Sequence, residues 1–128
     1  MQQLRTGSAA SVIHHLRTTL EFRKLSSLWE IHVFDDNSVR IRVDDEEVVP
    51  RFHPSSASNF ANRLIQAAKE KGEPRSLVVV LLTWSDADRR TRDLVTRGAQ
   101  DAIANLRSAW GATKRIELSR LGYTPQAP

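Results

Sequence analysis

Arg89, Arg90, Arg97 and Arg107, four of five arginines between residues 89 and 107, fall in one stretch whose apolar residues recur at helical spacing. Wound into a helix, Arg90 and Arg97 nearly coincide in direction, and Arg89 and Arg107 border the same face. Guanidinium groups in such a row can track a phosphate backbone, because most protein contacts to nucleic acid go to phosphate and sugar rather than to bases. Asp93 and Asp101 share that face at the spacing of helical ion pairs with Arg90 and Arg97. A solvated helix laced by ordinary ion pairs is therefore the competing reading. Lys114, Arg115 and Arg120 form a second basic group, which Tyr123 could complete, since a ring among bases can stack on an exposed nucleobase.

Arg40 and Arg42 alternate with Val39, Ile41 and Val43, so they leave one face of a strand, with Arg51 able to stand beside them. A sheet face bearing arginines can bind RNA or a partner protein. RNA-binding sheets also expose aromatics; this strand offers none, and Asp44, Asp45 and Glu46 follow at once, which favours local pairing.

The remaining polar residues do not assemble a reaction centre. Asp35 and Asp36 lie in one turn, and Asp44, Asp45, Glu46 and Glu47 in the next, at opposite ends of a strand and without the spacing of a calcium loop. His14 and His15 point apart on a helix. His32 and His53 meet only if the first and third strands are neighbours. No carboxylate is spaced to complete a zinc or iron site around any of them. The chain has no cysteine, which removes disulfides, thiolate catalysis and thiolate metal sites, and its five glycines are scattered rather than grouped in a phosphate loop. Ser55, Ser56 and Ser85 stand where helices should start and read as caps. No nucleophile, base and orienter form a trio. No catalytic residue, metal or cofactor is expected.

Charge is segregated along the chain. Residues 35–47 hold six acids against two arginines, whereas residues 86–120 hold eight bases against five acids, within an overall net charge of +4. A divided surface of this kind points to binding more than to catalysis. Two readings follow. In the first, the protein is a non-enzymatic basic domain that engages DNA or RNA mainly through phosphates, using Arg89, Arg90, Arg97, Arg107, Lys114, Arg115 and Arg120. In the second, it is a structural or adaptor protein that self-assembles or joins a larger complex. There the hairpin carrying Asp35, Asp36, Asp44, Asp45, Glu46, Arg40 and Arg42 of one copy would meet the basic helix of the next. A small enzyme of unknown class is the third possibility, and it needs a polar pocket that the sequence does not announce.

The elements that must hold these groups are read from periodicity and punctuation. Residues 1–8 read as a flexible leader. Ser11 could cap a first helix running to about Ser26. Trp29–Phe34, Val39–Val43 and Glu47–Phe52 read as an antiparallel meander joined by the turns Asp35–Ser38 and Asp44–Glu46, with Pro50 marking an edge strand. A second helix should open at Pro54–Ser56 and stop at Gly72. Leu77–Leu82 is apolar throughout and reads as a central strand covered on both faces. A third helix of about 25 residues should begin with Ser85–Asp88 and end at Gly111. Ile116 and Leu118 suggest a last short strand, although residues 112–122 could equally form a short helix, and 123–128 read as a tail. Trp29, Trp84 and Trp110 flank these elements, and at least two of them should lie in the core.

The fold expected is a single α+β domain over residues 9–122, with a mostly antiparallel sheet of four or five strands and helices packed largely on one face. The longest fully apolar run, six residues, is far short of the ~20 needed to cross a bilayer, and no secretory signal is visible. A cytoplasmic protein without a membrane partner is the corresponding expectation.

Overall fold

The computed structural model describes residues 26–84 and 87–123. The expected first helix, the leader, the Ser85 cap and residues 124–128 lie outside them. In chain order the elements are β1 (Ser26–Val33), β2 (Val39–Val43), β3 (Glu46–Phe52), α1 (Ala57–Lys71), β4 (Ser76–Trp84), α2 (Arg89–Trp110) and β5 (Arg115–Tyr123). The five strands form one sheet in the order β3-β2-β1-β4-β5. β1, β2 and β3 pair antiparallel, while β4 runs parallel to both β1 and β5.

This is the expected α+β domain with its helices on one face, but the pairings are divided evenly between antiparallel and parallel. A helical return explains each parallel pairing: α1 brings the chain back from β3 so that β4 lies beside β1, and the long α2 does the same between β4 and β5. α2 has 22 residues, which at 1.5 Å each carry the chain back about 33 Å. The nine residues of β4 span roughly 30 Å. A connection of that length returns to the starting edge and feeds a parallel neighbour.

Period-two alternation decides which side chains meet the helices. Trp29, Ile31 and Val33 of β1, Val39, Ile41 and Val43 of β2, and Leu77, Val79 and Leu81 of β4 point to one face. There they join Phe60, Ala61, Leu64, Ala67 and Ala68 of α1 and Val95, Ala99, Ala102, Ile103 and Leu106 of α2 in a single core. On the opposite face Leu28, Val80 and Leu82 are buried as well, so β4 is covered on both sides as its unbroken apolar run predicts. Among the tryptophans, Trp29 is buried and Trp110 is half-buried against the core.

Several boundaries differ from those read in the sequence. β1 begins at Ser26 rather than Trp29, because residues 26–28 pair with residues 76–78 of β4; a tertiary partner extends a strand beyond its own propensity. β5 is nine residues long and pairs with β4 along its whole length, so residues 115–122 are strand and Tyr123 ends it. α2 starts at Arg89 with Asp88 as its N-cap residue, and the Asp88 side chain makes no capping bond. Instead its carboxylate accepts from Asn37 Nδ2 (3.0 Å), while the Asp88 N–H donates to Asn37 Oδ1 (2.8 Å). The turn between β1 and β2 thereby takes over the anchoring of the helix start.

α1 and α2 touch closely at Gly98. A Cβ on Gly98 would lie 2.8 Å from the Ala57 carbonyl oxygen and 2.8 Å from Phe60 Cδ2. Only glycine allows the backbone of one helix to approach the first turn of the other this far.

Candidate functional site

The start of α1 and the first turns of α2 enclose an open concavity of about 820 Å³, lined by Ser55, Ser56, Ala57, Arg89, Arg90, Asp93, Leu94, Thr96 and Arg97. The α1 side is the positive end of a helix. Ser56 is its N-cap, and the Ser56 hydroxyl accepts from the Asn59 N–H (3.0 Å). That bond satisfies one orphan donor; the N–H groups of the first helical positions, Ala57 and Ser58, have no intrahelical acceptor by construction. No acid stands in the first turn of α1 to neutralise them. The partial positive charge of the helix start, about half a unit, is left facing the concavity.

The α2 side supplies three guanidinium groups from a helix whose other face is fully buried. Of the two ion pairs that the sequence spacing allowed, neither forms: among the described residues Arg90 and Arg97 have no carboxylate within 4.0 Å. Asp93 turns instead to Arg89 (Nε–Oδ2 4.0 Å), with both side chains more than two-thirds exposed. A contact so open to water contributes little and leaves the carboxylate free to move. Three cations and one anion thus share a hollow with a helix N-terminus. That arrangement can bind an anionic group by charge-assisted hydrogen bonds.

Arg89, Arg90 and Arg97 are therefore brought together, and the other bases read as nucleic-acid contacts are not. Arg107 reaches across to donate to the Ile116 carbonyl (2.8 Å), bracing α2 against β5. Lys114 pairs with Glu73 (2.6 Å) and donates to the Pro74 carbonyl (2.8 Å) at 14% side-chain exposure. Arg115 pairs with Glu117 of its own strand (3.2 Å). Arg120 is exposed on β5, outside the concavity.

The acidic region is occupied locally. Asp36 holds Arg51 (3.2 Å), Asp45 holds Arg42 (3.6 Å), Glu46 holds Lys71 (2.6 Å), and Glu47 lies 3.9 Å from Arg40. Asp44 accepts from the Ser27 hydroxyl (2.8 Å) and the Leu28 N–H (2.9 Å), fastening the β2–β3 turn to β1. Asp35 is exposed. None of these carboxylates pairs with an α2 arginine among the described residues, so the basic helix keeps its charge. Nor is the sheet face bearing Arg40 and Arg42 fully wet: their side chains are 27% and 31% exposed. Phe34 is an aromatic that the sequence reading did not place there. It lies under Arg51 (3.9 Å to the ring centre) and Arg40 (5.4 Å), and those guanidinium faces are spent on it.

One carboxylate is shifted enough to be tested. Asp36 is held at about 2, below its ordinary 3.8, first by the hydroxyl of Ser38, then by the Ser38 N–H and the nearby Arg51. A depressed carboxylate stabilises the fold fully above its ordinary value, and the contribution disappears as pH falls through about 2. Asp36→Asn should therefore lower Tm at neutral pH, and the gap from the parent chain should close between about pH 4 and pH 2. A gap that persists unchanged through that window in thermal scans would refute the assignment.

In the sequence Ser55 and Ser56 read only as caps, with nothing to connect them to the arginines. The available signal was a helix start, Ser56-Ala57-Ser58-Asn59-Phe60, with no acid in its first turn. What it could not reveal was the crossing at Gly98 that brings residue 57 beside residues 90–97. Glu30 and His32 are a further polar pair (3.1 Å) on the sheet face away from α1 and α2, with Glu30 buried in the middle of β1. β2 separates β1, which carries His32, from β3, and His53 follows the end of β3. Among the described residues no helix is long and apolar enough to cross a membrane.

No protein-family model matches this chain, and neither a curated protein nor a solved structure matches it.

Proposed function

We propose that the protein is a nucleic-acid-binding domain that engages DNA or RNA through phosphate contacts at the concavity between α1 and α2. The observation that carries this reading is the convergence of Arg89, Arg90 and Arg97 on the uncompensated N-terminus of α1. Asp36 and Glu46 of the hairpin have basic partners in their own chain, Arg51 and Lys71, with which the arginines of a second copy would have to compete. Reading of base sequence is not part of the proposal, because the hollow holds no aromatic side chain.

The test is binding of random duplex and single-stranded oligonucleotides across a salt series. Each neutralised phosphate contributes about 0.9 to the slope of log K against log salt for a duplex and about 0.7 for a single strand. One to three neutralised phosphates predict a slope between about −0.7 and −2.7, and Arg90→Gln with Arg97→Gln should flatten it toward zero. Arg120→Gln, outside the hollow, should change the slope by less than that pair. Absence of binding at low salt, or a slope indifferent to Arg90 and Arg97, would refute the proposal.

A further inference from the structure

We infer that the concavity accepts the phosphate monoester at the end of a nucleic-acid strand in preference to the diesters within it. This rests on the phosphate-binding reading above and narrows it. The shape of the site is the first reason. A diester inside a strand is tied to sugar on both sides and offers two free oxygens, which suits a ridge or a shallow track. The hollow between α1 and α2 has walls on two sides, with guanidinium groups on one and a helix start on the other. A group seated between them meets donors from more than one direction. A terminal monoester has three free oxygens and, near neutral pH, a charge of about −1.5 to −2.

Charge balance is the second reason. Arg89, Arg90 and Arg97 oppose only Asp93 within the hollow, and the helix start adds about half a positive unit. The surplus matches a dianion better than a monoanion.

The third reason lies outside the hollow. Along α2 the bases do not form an unbroken track, because exposed Asp88, Asp93 and Asp101 interrupt them. A strand laid along the helix would meet these carboxylates in succession. A strand end directed into the hollow faces only Asp93, already turned toward Arg89.

The experiment uses the full chain and one single-stranded oligonucleotide in four forms: 5′-phosphorylated, 3′-phosphorylated, with hydroxyls at both ends, and closed into a circle. Fluorescence anisotropy at constant salt reads the affinities, with adenosine 5′-monophosphate and inorganic phosphate as competitors. A phosphorylated end should bind at least about tenfold more tightly than the hydroxyl form or the circle, the gain of one further charge-assisted contact. Arg97→Gln, an exposed position whose folding is checked by circular dichroism, should abolish the preference and leave weak binding of all four. Equal affinity for all forms would overturn the inference while leaving the phosphate-binding reading in place. Competition by the mononucleotide at the strand's own affinity would also overturn it, assigning the hollow to free nucleotides. No binding by any form would overturn both.

Discussion

Gly98→Val is expected to destabilise the protein by about 3 kcal/mol, at the upper end of what overpacking costs. At an exposed mid-helix glycine the reverse would hold, since alanine gains about 1 kcal/mol over glycine in helix propensity. Here even the first added carbon meets two atoms at 2.8 Å, the Ala57 carbonyl oxygen and Phe60 Cδ2. The ring can tilt, but the carbonyl belongs to the first turn of α1 and moves only with the helix. Gly98→Ala should therefore lose stability despite its propensity gain, and valine should lose more. Urea midpoints for the two variants check this. A more stable Gly98→Ala would mean that the helices do not cross this closely. Because Ala57 forms part of the hollow, the same variants should widen it and weaken the oligonucleotide binding proposed there even where the arginines are untouched.

Phe60→Ala should cost about 4 kcal/mol, within the range for truncating a fully buried aromatic. Phe60 has no accessible surface, stacks on Phe52 at 6.4 Å between ring centres, and fills the space under Gly98. Leu64, Ala61 and Ala68 belong to the same buried core, so closing the gap would require them to shift from their own packing. The two sites should also couple. Phe60→Leu removes the ring atom that obstructs a side chain at position 98, so combined with Gly98→Ala it should cost less than the sum of the single changes. Relief should be partial, since the Ala57 carbonyl still obstructs. Strict additivity in denaturant titrations would mean that Phe60 is not what limits position 98.

How far these features could be read from the chain differs by element. β2 was legible because Val39, Ile41 and Val43 alternate with arginines, and the sheet buries those three. The two helices were legible from their apolar stripes and from Gly72 and Gly111, which stop them with φ of +91° and +113°. The type of the Asp35–Ser38 turn was also visible: Asp36 accepts from the Ser38 N–H as an Asx residue does. β5 was underestimated because Arg115, Glu117, Ser119 and Arg120 dilute its apolar residues; its length comes from pairing with β4, which no local pattern encodes. The candidate site was half legible. The arginines of α2 share a face by arithmetic, but their separation from Asp93 and Asp101 depends on rotamers. Their meeting with Ser56 and Ala57 depends on one helix crossing.

The Asn37–Asp88 clasp has a consequence for anyone who would transplant the arginine hollow. Asn37 holds the α2 start from a turn 51 residues earlier, using both its amide nitrogen and its amide oxygen. A graft carrying only the two helices would leave the first winding of the long one unmoored, with Arg89 and Arg90 no longer held at a fixed pitch. The minimal portable unit therefore includes the tip of a hairpin that lies outside the hollow itself.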